Sequence, residues 1–331
     1  MTTVYFATNR KNDGTGPFGF GAQIVGQDAS QITYAVTDVT NIVLSTEDSG
    51  SIANPTDVSH ATFSATSSAD IVNGGKNLLI FIHGFDNSFD DAIKRSAYNH
   101  DWFAAAGPGC DTTVVAFTWP SAGVLIDTPP HLLTDAYKMD QAQAGKSGFH
   151  IVNFLTNIDA LQKTYRQANP NGRVFLLAHS MGNWALQAGI QSWFESRGND
   201  DTMFDEVFLA AADEVDETFL LPAGARLSYL PKISKRISIY YSRADIVLWL
   251  SGAINLNQRL GSDGPADKSD TSKYPIAKFR LIDCSDVDDY PHLVPFDASH
   301  QYYRRSQIVR KDIVSCMLAQ PAVAGGPVKL G

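Results

Sequence analysis

Residues 173–186, which read RVFLLAHSMGNWAL, are the stretch that decides the fold of this chain. An apolar run fills the first part of the stretch, as in a strand that is covered on both faces of a parallel sheet. The run ends abruptly at residues 178–182, and small residues follow at positions 185, 188 and 189 in a segment that reads as a helix. The stretch therefore predicts a strand, a sharp turn and a helix, with Ser180 in the turn.

Size and composition are those of a globular protein with a large buried sheet. The chain has 331 residues, of which 44% are hydrophobic and 18% are charged. Because α/β folds of this length commonly form one core, we expect a single domain over residues 1–331. The 26 basic and 35 acidic residues give a net charge of −9. This charge disfavours nucleic acid as a partner, since phosphate binding needs a basic surface.

Cysteines and apolar segments bear on the cellular compartment. Cys110, Cys284 and Cys316 are odd in number and scattered, so they form neither a disulfide framework nor a metal-ligand spacing. Reduced thiols are the better interpretation. The chain begins with MTTVYFATNR, which lacks the basic and apolar regions of a secretory signal peptide. No apolar run approaches transmembrane length. The sequence therefore predicts a cytoplasmic location and no membrane span.

From residue 77 onward the sequence alternates between strand-like and helix-like segments. Apolar runs predict strands at 77–83, 112–119, 173–178, 206–211, 236–241 and 277–284. Helical patterns fall between these strands, at 91–106, 135–165, 182–194 and 246–250. The alternation predicts an α/β fold, in which a mostly parallel, twisted sheet is covered by helices on both faces.

The two ends of the chain have a different pattern. Residues 1–44 contain short β-prone segments separated by glycine-rich turns, and we expect antiparallel strands there at one edge of the main sheet. Residues 45–76 are rich in Ser, Asp, Thr and Ala and read as a connecting loop, so that 1–76 form an N-terminal edge and loop. A long polar loop is expected at 252–275, and a frayed tail at 320–331.

The turn at Ser180 resembles the nucleophile elbow of the α/β-hydrolase superfamily, in which a strand–turn–helix unit raises a serine hydroxyl above the sheet. Such a turn needs small residues beside the nucleophile, because the strand and helix backbones pass close together. Gly182 meets this need, and Ala178 stands where the first glycine of the motif is usual. The resemblance implies that Ser180 is the nucleophile of an acyl transfer.

A second segment, FIHGFDN at residues 81–87, resembles the His-Gly-x loop that supplies half of the oxyanion hole in α/β-hydrolases. By this resemblance the backbone N–H groups of Phe85 and Met181 would bind the charge that develops on the carbonyl oxygen. The alternative is a plain glycine turn that leads into the next helix, with Asp90 or Asp91 as its N-cap.

The general base follows from the order Ser, then Asp or Glu, then His, which α/β-hydrolases share. His292 and His300 are the two histidines that follow Ser180. His300 comes after the last predicted strand and opens the last helix, which is where the catalytic histidine of the superfamily belongs. His292 has an equally polar setting and stays an alternative.

The acid of the triad is expected in a turn after a strand near the nucleophile strand. Asp245 lies in such a turn, just past the strand at 236–241. Asp213, with its acidic neighbours at positions 214 and 216, follows the preceding strand, a position that some family members use. Capping of a helix around 217–219 explains these carboxylates without function. Asp283, at the end of a strand, equally fits a structural role.

Further motifs resemble one bacterial family of α/β-hydrolases, catalogued as domain of unknown function 900. They are WPSAG at residues 119–123, YFATNR at 5–10, the paired tyrosines after His300, and the residues Tyr137, Asp140 and Ser147. The resemblance runs from about residue 3 to about residue 315. It implies the fold and the catalytic class, and says little about the substrate.

The function these features imply is hydrolysis of a small-molecule carboxylic ester through an acyl-enzyme. Ser180 would attack, His300 would act as base and then as acid, and Asp245 would orient the imidazole. Water is the second substrate, and neither a metal nor another cofactor is expected. An amidase, lactonase or acyltransferase on the same residues is an alternative, as is a non-catalytic binding module. Apolar residues within 121–148 suggest a lid or pocket wall.

Overall fold

Thirteen strands are present in the parts of the chain that the computed structural model describes, which are residues 1–47, 49–121, 130–222, 225–290, 298–319 and 325–331. In chain order the strands are β1 (Thr2–Thr8), β2 (Arg10–Asn12), β3 (Phe20–Ile24), β4 (Thr33–Thr40), β5 (Ser51–Ile52), β6 (Thr56–His60), β7 (Asn77–Ile82), β8 (Thr112–Thr118), β9 (Val174–His179), β10 (Phe204–Ala210), β11 (Ser234–Tyr241), β12 (Phe279–Asp283) and β13 (Gly326–Lys329).

Helices connect most of the strands from β6 onward. They are α1 (Ala65–Asn73), α2 (Phe89–Ala104), α3 (Pro130–Lys146), α4 (Gly148–Ala168), α5 (Gly182–Arg197), α6 (Leu230–Ile233), α7 (Ile246–Asn255), α8 (Leu260–Asp263), α9 (Tyr302–Arg305) and α10 (Gln307–Met317). Short 3-10 turns lie at Pro17–Gly19, Ala29–Gln31 and Ala298–His300.

One large sheet runs through the molecule in the order β13-β12-β11-β10-β9-β7-β8-β1-β4-β5, with β6 also paired to β4. Neighbouring strands are parallel from β13 to β1. Antiparallel pairing begins at β4, which lies between β1 and the short strands β5 and β6. The carboxyl ends of the parallel strands therefore meet at one rim, where α/β proteins build their sites.

Helices cover both faces of the sheet because the central strands are apolar on both sides. In β7 the side chains of Leu78, Ile80 and Ile82 join one hydrophobic cluster, together with residues of α1, α4 and α5. Leu79 and Phe81 point the other way and join a second cluster with α2 and α10. The period of two along a strand thus divides one apolar run between two cores.

The predicted α/β architecture is confirmed, with a mostly parallel sheet, helices on both faces and antiparallel strands at the N-terminal edge. Each of the six strands predicted after residue 77 is present as β7 to β12, with every end within two residues of its prediction. Predominantly apolar runs gave this accuracy, because strands buried on both faces are rich in apolar residues.

The N-terminal region differs from its prediction in two respects. β1 pairs in parallel with β8 and so belongs to the main parallel array, while the antiparallel edge begins only at β4. Residues 45–76 are not a plain loop, since they contain β5, β6 and α1. Ser64 caps α1 by accepting a hydrogen bond from the Ser67 N–H, at 3.0 Å. The serines that read as loop residues therefore begin a helix.

The helix predicted at 135–165 and the frayed tail are also corrected. Two helices, α3 and α4, fill the first segment and are divided at Ser147. The tail contains β13, which adds an edge strand in parallel with β12, whereas residues 320–324 lie outside the described residues. Within the expected loop at 252–275, α7 extends to Asn255 and α8 follows.

Close packing of α4 on α5 depends on small residues at their crossing. A Cβ added to Gly189 would lie 2.5 Å from the Gly148 carbonyl oxygen and 2.8 Å from the Ile151 side chain. We expect Gly189→Val to lower the free energy of unfolding by about 1–3 kcal/mol, because overpacking a rigid contact forces the helices apart. Denaturant unfolding measures the change.

Gln191→Val is the control for this prediction. Gln191 is exposed on the same helix, so the substitution places a β-branched residue in α5 without entering the crossing. Equal stability of the two variants would contradict the packing argument.

Candidate active site

Ser180 occupies the turn between β9 and α5 in a strained backbone conformation. Its φ angle is +52°, in the left-handed region that side chains other than glycine rarely adopt. Three backbone hydrogen bonds hold the turn. The Ser180 N–H donates to Ala210 O at 3.0 Å, and the Ser180 carbonyl accepts from Asp213 N at 3.1 Å and Asn183 N at 3.0 Å. The neighbouring strand β10 and its exit loop therefore support the serine.

Two glycines allow the backbones around this turn to approach one another. A Cβ on Gly182 would lie 2.6 Å from the carbonyl oxygens of Ile82 and His83, at the end of β7. A Cβ on Gly84 would lie 2.8 Å from the Cβ of Ser180. Because the first of these contacts is with backbone atoms that cannot move aside, only glycine fits at position 182.

The structure brings Ser180, His300 and Asp245 together in one hydrogen-bonded chain. His300 Nε2 lies 2.9 Å from Ser180 Oγ, and His300 Nδ1 lies 2.7 Å from Asp245 Oδ2. All three side chains are buried. The two contacts require the tautomer in which Nδ1–H donates to the carboxylate and Nε2 accepts from the serine hydroxyl. The three residues come from distant parts of the chain, which the sheet brings to one rim.

Asp245 serves the start of α7 as well as the histidine. Its Oδ1 accepts a hydrogen bond from the Leu248 N–H at 3.0 Å, which makes it the N-cap of the helix. The N-terminal end of a helix carries partial positive charge, so the carboxylate and the end of α7 attract one another. One side chain therefore both starts the helix and orients His300.

His179 supports His300 from behind. Its Nε2–H donates to the His300 carbonyl at 3.2 Å, and its ring packs between the rings of His300 and Tyr303, with centroids 4.9 and 4.6 Å away. Burial lowers the pKa of His179 well below its ordinary value, and the nearby His300 lowers it further. A neutral His179 therefore adds no second charge beside the His300 imidazole.

The backbone N–H groups of Phe85 and Met181 flank the serine turn. Among the described residues no group accepts a hydrogen bond from either of them. The Asn87 side chain holds the first of these loops, since its Nδ2 donates to Gly84 O at 3.0 Å and to Phe85 O at 2.7 Å. The carbonyl groups of Gly84 and Phe85 thus both accept from Asn87, whereas the Phe85 N–H can donate to another acceptor.

Arg10 holds the same loop from below, which the sequence did not predict. The side chain is buried and its Nη2 donates to Asn87 O at 2.6 Å, while Nη1 donates to Ser121 O at 3.2 Å. Its Nε donates to Thr118 Oγ1 at 2.9 Å. Burial lowers the pKa of Arg10 to about 9, and the charge of Asp140 counters that effect in part. The guanidinium joins the loop after β7 to the loop after β8.

Several residues that carry the family resemblance converge around this arginine. Ser121 Oγ donates to Asp140, and accepts from the Asn87 N–H at 3.1 Å. Asn9 Nδ2 donates to Ser147 Oγ at 2.9 Å. The adjacent residues Asn9 and Arg10 therefore connect the N-terminal motif to the start of α4 and to the loop after β8.

Comparison with known proteins bears on this geometry. Residues 61–314 match the model of the family described as "Alpha/beta hydrolase of unknown function (DUF900)". The chain belongs to this family. The match covers all of the central strands β7 to β12 and the three residues of the hydrogen-bonded chain. No curated protein sequence matches the chain.

In this member of the DUF900 family, the other acidic candidates have structural partners. Asp283 pairs with Arg243 at 3.0 Å. The prediction that Asp213 caps a helix is wrong, because residues 217–219 form turns and its carboxylate binds side chains instead. His292 lies outside the described residues, as do positions 122–129 of the expected lid. The described part of that segment is mostly α3.

His83 anchors its loop through two hydrogen bonds. Its Nδ1–H donates to Gly84 O at 2.8 Å, and its Nε2 accepts from the Trp119 N–H at 3.1 Å. The two rings stack at 5.1 Å. Burial lowers the pKa of His83 well below its ordinary value, with Arg10 adding to the effect. Trp119 is thereby part of the support for the loop before Phe85.

A second buried polar cluster lies beside the serine turn, in the loop after β10. Asp213 accepts hydrogen bonds from Tyr137 OH at 2.7 Å and Ser251 Oγ at 2.5 Å, and pairs with Arg259 Nε at 3.1 Å. The adjacent Glu214 pairs with Arg226 at 2.6 Å. Burial raises the pKa of Glu214 to about 7, although Arg226 opposes the shift.

Neither a metal site nor a membrane span is found in the described residues. No group of three or more His, Cys, Asp or Glu side chains there is arranged to hold a metal ion. Among the same residues, no helix has the length and apolar character needed to cross a bilayer.

The raised pKa of Glu214 predicts a pH dependence of stability. Between its unfolded value of about 4.5 and its folded value of about 7, the folded carboxyl binds more protons than the unfolded one. Stability therefore falls as pH rises through this window, by up to about 1.4 kcal/mol per pH unit. We expect Glu214→Gln to remove that part of the slope, as measured by denaturant unfolding at pH 5, 6 and 7.

The measured quantity is the change of the unfolding free energy with pH, not its absolute value, because the variant also loses the charge that pairs with Arg226. Glu217→Gln, at an exposed position on the same loop, is the control and should keep the wild-type slope. A wild-type slope in Glu214→Gln would show that the carboxyl does not titrate in this window.

Proposed function

We propose that this protein hydrolyses carboxylic esters through an acyl-enzyme formed on Ser180. The observation that carries the proposal is the hydrogen-bonded chain from Ser180 through His300 to Asp245, at 2.9 and 2.7 Å. A serine hydroxyl is a weak nucleophile, and a neutral imidazole at this distance can take its proton as the oxygen attacks. Membership of an alpha/beta hydrolase family supports the same class of reaction.

In the first half of the reaction Ser180 Oγ bonds to the ester carbonyl carbon, and its proton passes to His300 Nε2. Asp245 stabilises the imidazolium through Nδ1–H. When the tetrahedral intermediate collapses, the bond to the alcohol oxygen breaks and the Nε2 proton goes to that oxygen. In the second half a water molecule attacks the acyl-enzyme by the same route, which releases the acid and restores the serine.

The N–H groups of Phe85 and Met181 would receive the negative charge of the tetrahedral oxygen. They suit the role because no described residue accepts from them and because the loop of Phe85 is held by Asn87 and Arg10. Donors that are already oriented need no rearrangement when the charge develops, which is the main electrostatic advantage of such a site. Arg10 acts here as a positioning residue, through the Asn87 carbonyl.

Replacing the nucleophile tests the proposal directly. We expect Ser180→Ala to fold and to lose hydrolysis of p-nitrophenyl esters by several orders of magnitude, because the triad acts as a unit. A fluorophosphonate probe should label the wild type at Ser180 alone, as mapped by peptide mass spectrometry. Unchanged turnover in the variant, or labelling at another serine, would refute the assignment.

Replacing the acid separates its catalytic role from its capping role. Asn caps helices about as well as Asp, so Asp245→Asn should keep α7 and the stability of the fold. The amide favours the wrong imidazole tautomer, and we expect kcat to fall by roughly 10⁴-fold. Steady-state kinetics together with a thermal melt measure both effects.

Asp283→Asn is the control, because Asp283 ends the next strand and pairs with Arg243 on the surface. It should retain near wild-type kcat. A loss of kcat in this control equal to that in Asp245→Asn would remove the special role of Asp245.

A further inference from the structure

Arg259 is a buried arginine whose outer edge has no partner. Its side chain is 0% exposed, and its Nε donates to Ser251 Oγ at 2.9 Å and pairs with Asp213 at 3.1 Å. Neither Nη1 nor Nη2 has a hydrogen-bond partner. Leaving these N–H groups unpaired costs folding free energy, on the order of 1–3 kcal/mol for each buried polar group. A ligand that supplied the missing acceptors would remove this cost.

Arg259 lies close to the serine turn. Asp213, which binds Arg259 Nε, also donates its backbone N–H to the Ser180 carbonyl at 3.1 Å. The guanidinium carbon of Arg259 is 5.5 Å from the centroid of the Trp184 ring, and Trp184 lies one helical turn after Ser180. Arg259 is therefore connected to Ser180 by two short paths. One runs through Asp213, and the other runs through Trp184 and one turn of α5.

The geometry of the free groups favours a planar acceptor with two oxygens. With Nε engaged by the protein, the Nη1–Nη2 edge is left, and two parallel N–H donors on one edge match the two oxygens of a carboxylate. A lone carbonyl oxygen can face only part of that edge. The half-buried Trp184 ring beside the guanidinium provides apolar surface next to this edge.

The charge of the cluster also accommodates one more anion. Arg226 pairs with Glu214 at 2.6 Å, and Arg226 too lies over the Trp184 ring, at 5.2 Å. Glu214 Oε2 has no hydrogen-bond partner, and burial raises the pKa of this carboxyl to about 7. Near neutral pH the cluster thus holds two guanidinium groups against Asp213 and a partly protonated Glu214. A bound carboxylate would supply the negative charge that is missing when Glu214 is protonated.

We propose that Arg259 binds a carboxylate of the substrate, so that the preferred substrates are esters bearing a second, free carboxylate, such as half-esters of dicarboxylic acids. The proposal rests on the proposed esterase function and names its substrate class. Arg259 selects the substrate by its Nη1–Nη2 edge, Trp184 packs against the connecting chain, and Ser180 attacks the ester end.

Paired substrates test the proposal. Mono-p-nitrophenyl esters of adipic, pimelic and suberic acids are compared with p-nitrophenyl hexanoate, heptanoate and octanoate, which match them in chain length but lack the charge. The wild type should show a kcat/KM at least about tenfold higher for the charged member of the best-fitting pair, since a charge-assisted bidentate contact gives 1.4 kcal/mol or more. Ratios of one or below at every length would overturn the proposal.

The same ratio in variants assigns the preference to one residue. Arg259→Gln and Arg259→Lys should both bring the ratio close to one, because Gln lacks the charge and Lys lacks the two-donor edge. A ratio cancels any loss of activity common to both substrates. Asp213→Asn combined with Arg259→Gln removes the buried pair together, and should give the same ratio if the single variant fails to fold. A ratio that stays at the wild-type value in folded variants would overturn the proposal.

Arg197→Gln is the matched control. Arg197 is also a buried arginine that pairs with a carboxylate, Asp159 at 2.7 Å, and lies over a tryptophan ring, Trp193 at 5.2 Å. It differs in that each of its nitrogens has a partner, and it lies at the far end of α5. Its variant should keep the wild-type ratio. A ratio that falls as far in this control as in Arg259→Gln would overturn the assignment to Arg259.

A binding measurement separates failure of this proposal from failure of the esterase function. Monomethyl adipate is titrated into Ser180→Ala by calorimetry, with methyl hexanoate as the uncharged comparison. Binding of the charged ester alone, abolished by adding Arg259→Gln, supports the subsite even if no ester is turned over. Equal or no binding of the two compounds by a folded protein would refute the subsite while leaving ester hydrolysis to its own test.

Discussion

The constraint on which this site depends is the left-handed turn at Ser180. A non-glycine residue in that region costs about 1–2 kcal/mol, and the surroundings must supply more than that to hold it. Here the carbonyl of Ser180 receives two backbone hydrogen bonds and its N–H gives one to β10. Gly182 and Gly84 let the end of β7 approach the turn closely. The serine is thereby raised at the rim where the loops after β7, β10 and β11 meet.

Two aspartates at that rim each make two structural contacts, and both follow strands that lie close to β9 in the sheet. Asp213 follows β10 and Asp245 follows β11, and these strands are the first and second neighbours of β9, the strand that leads into Ser180. Asp245 divides its two oxygens between α7 and His300. Asp213 supports the turn through its backbone and anchors Arg259 through its carboxylate. One residue thus supports the Ser180 turn through its backbone and holds Arg259 through its side chain.

Patterns local in sequence predicted the central strands well and the edges poorly. Predominantly apolar runs marked β7 to β12, because strands buried on both faces are rich in apolar residues. The serines before and within α1 made this segment read as a loop. β5 and β6 were also missed, because they form by pairing with β4, and composition does not encode a contact with another segment of the chain. The break at Ser147 has a similar cause. A Cβ at the adjacent Gly148 would lie 2.5 Å from Ala188 O, a contact between separate helices.

The sequence by itself determined the elbow, the order of serine, acid and histidine, and the identity of Ser180, His300 and Asp245 as the residues to examine. Their catalytic roles remain predictions. Only the tertiary structure decided the tautomer of His300, the burial of Arg10 beneath the Phe85 loop and the free edge of Arg259 against Trp184. The physical reason is that neighbouring residues determine a turn or a strand. The partner of a buried charge, in contrast, lies far away in the sequence and is brought close only when the sheet forms.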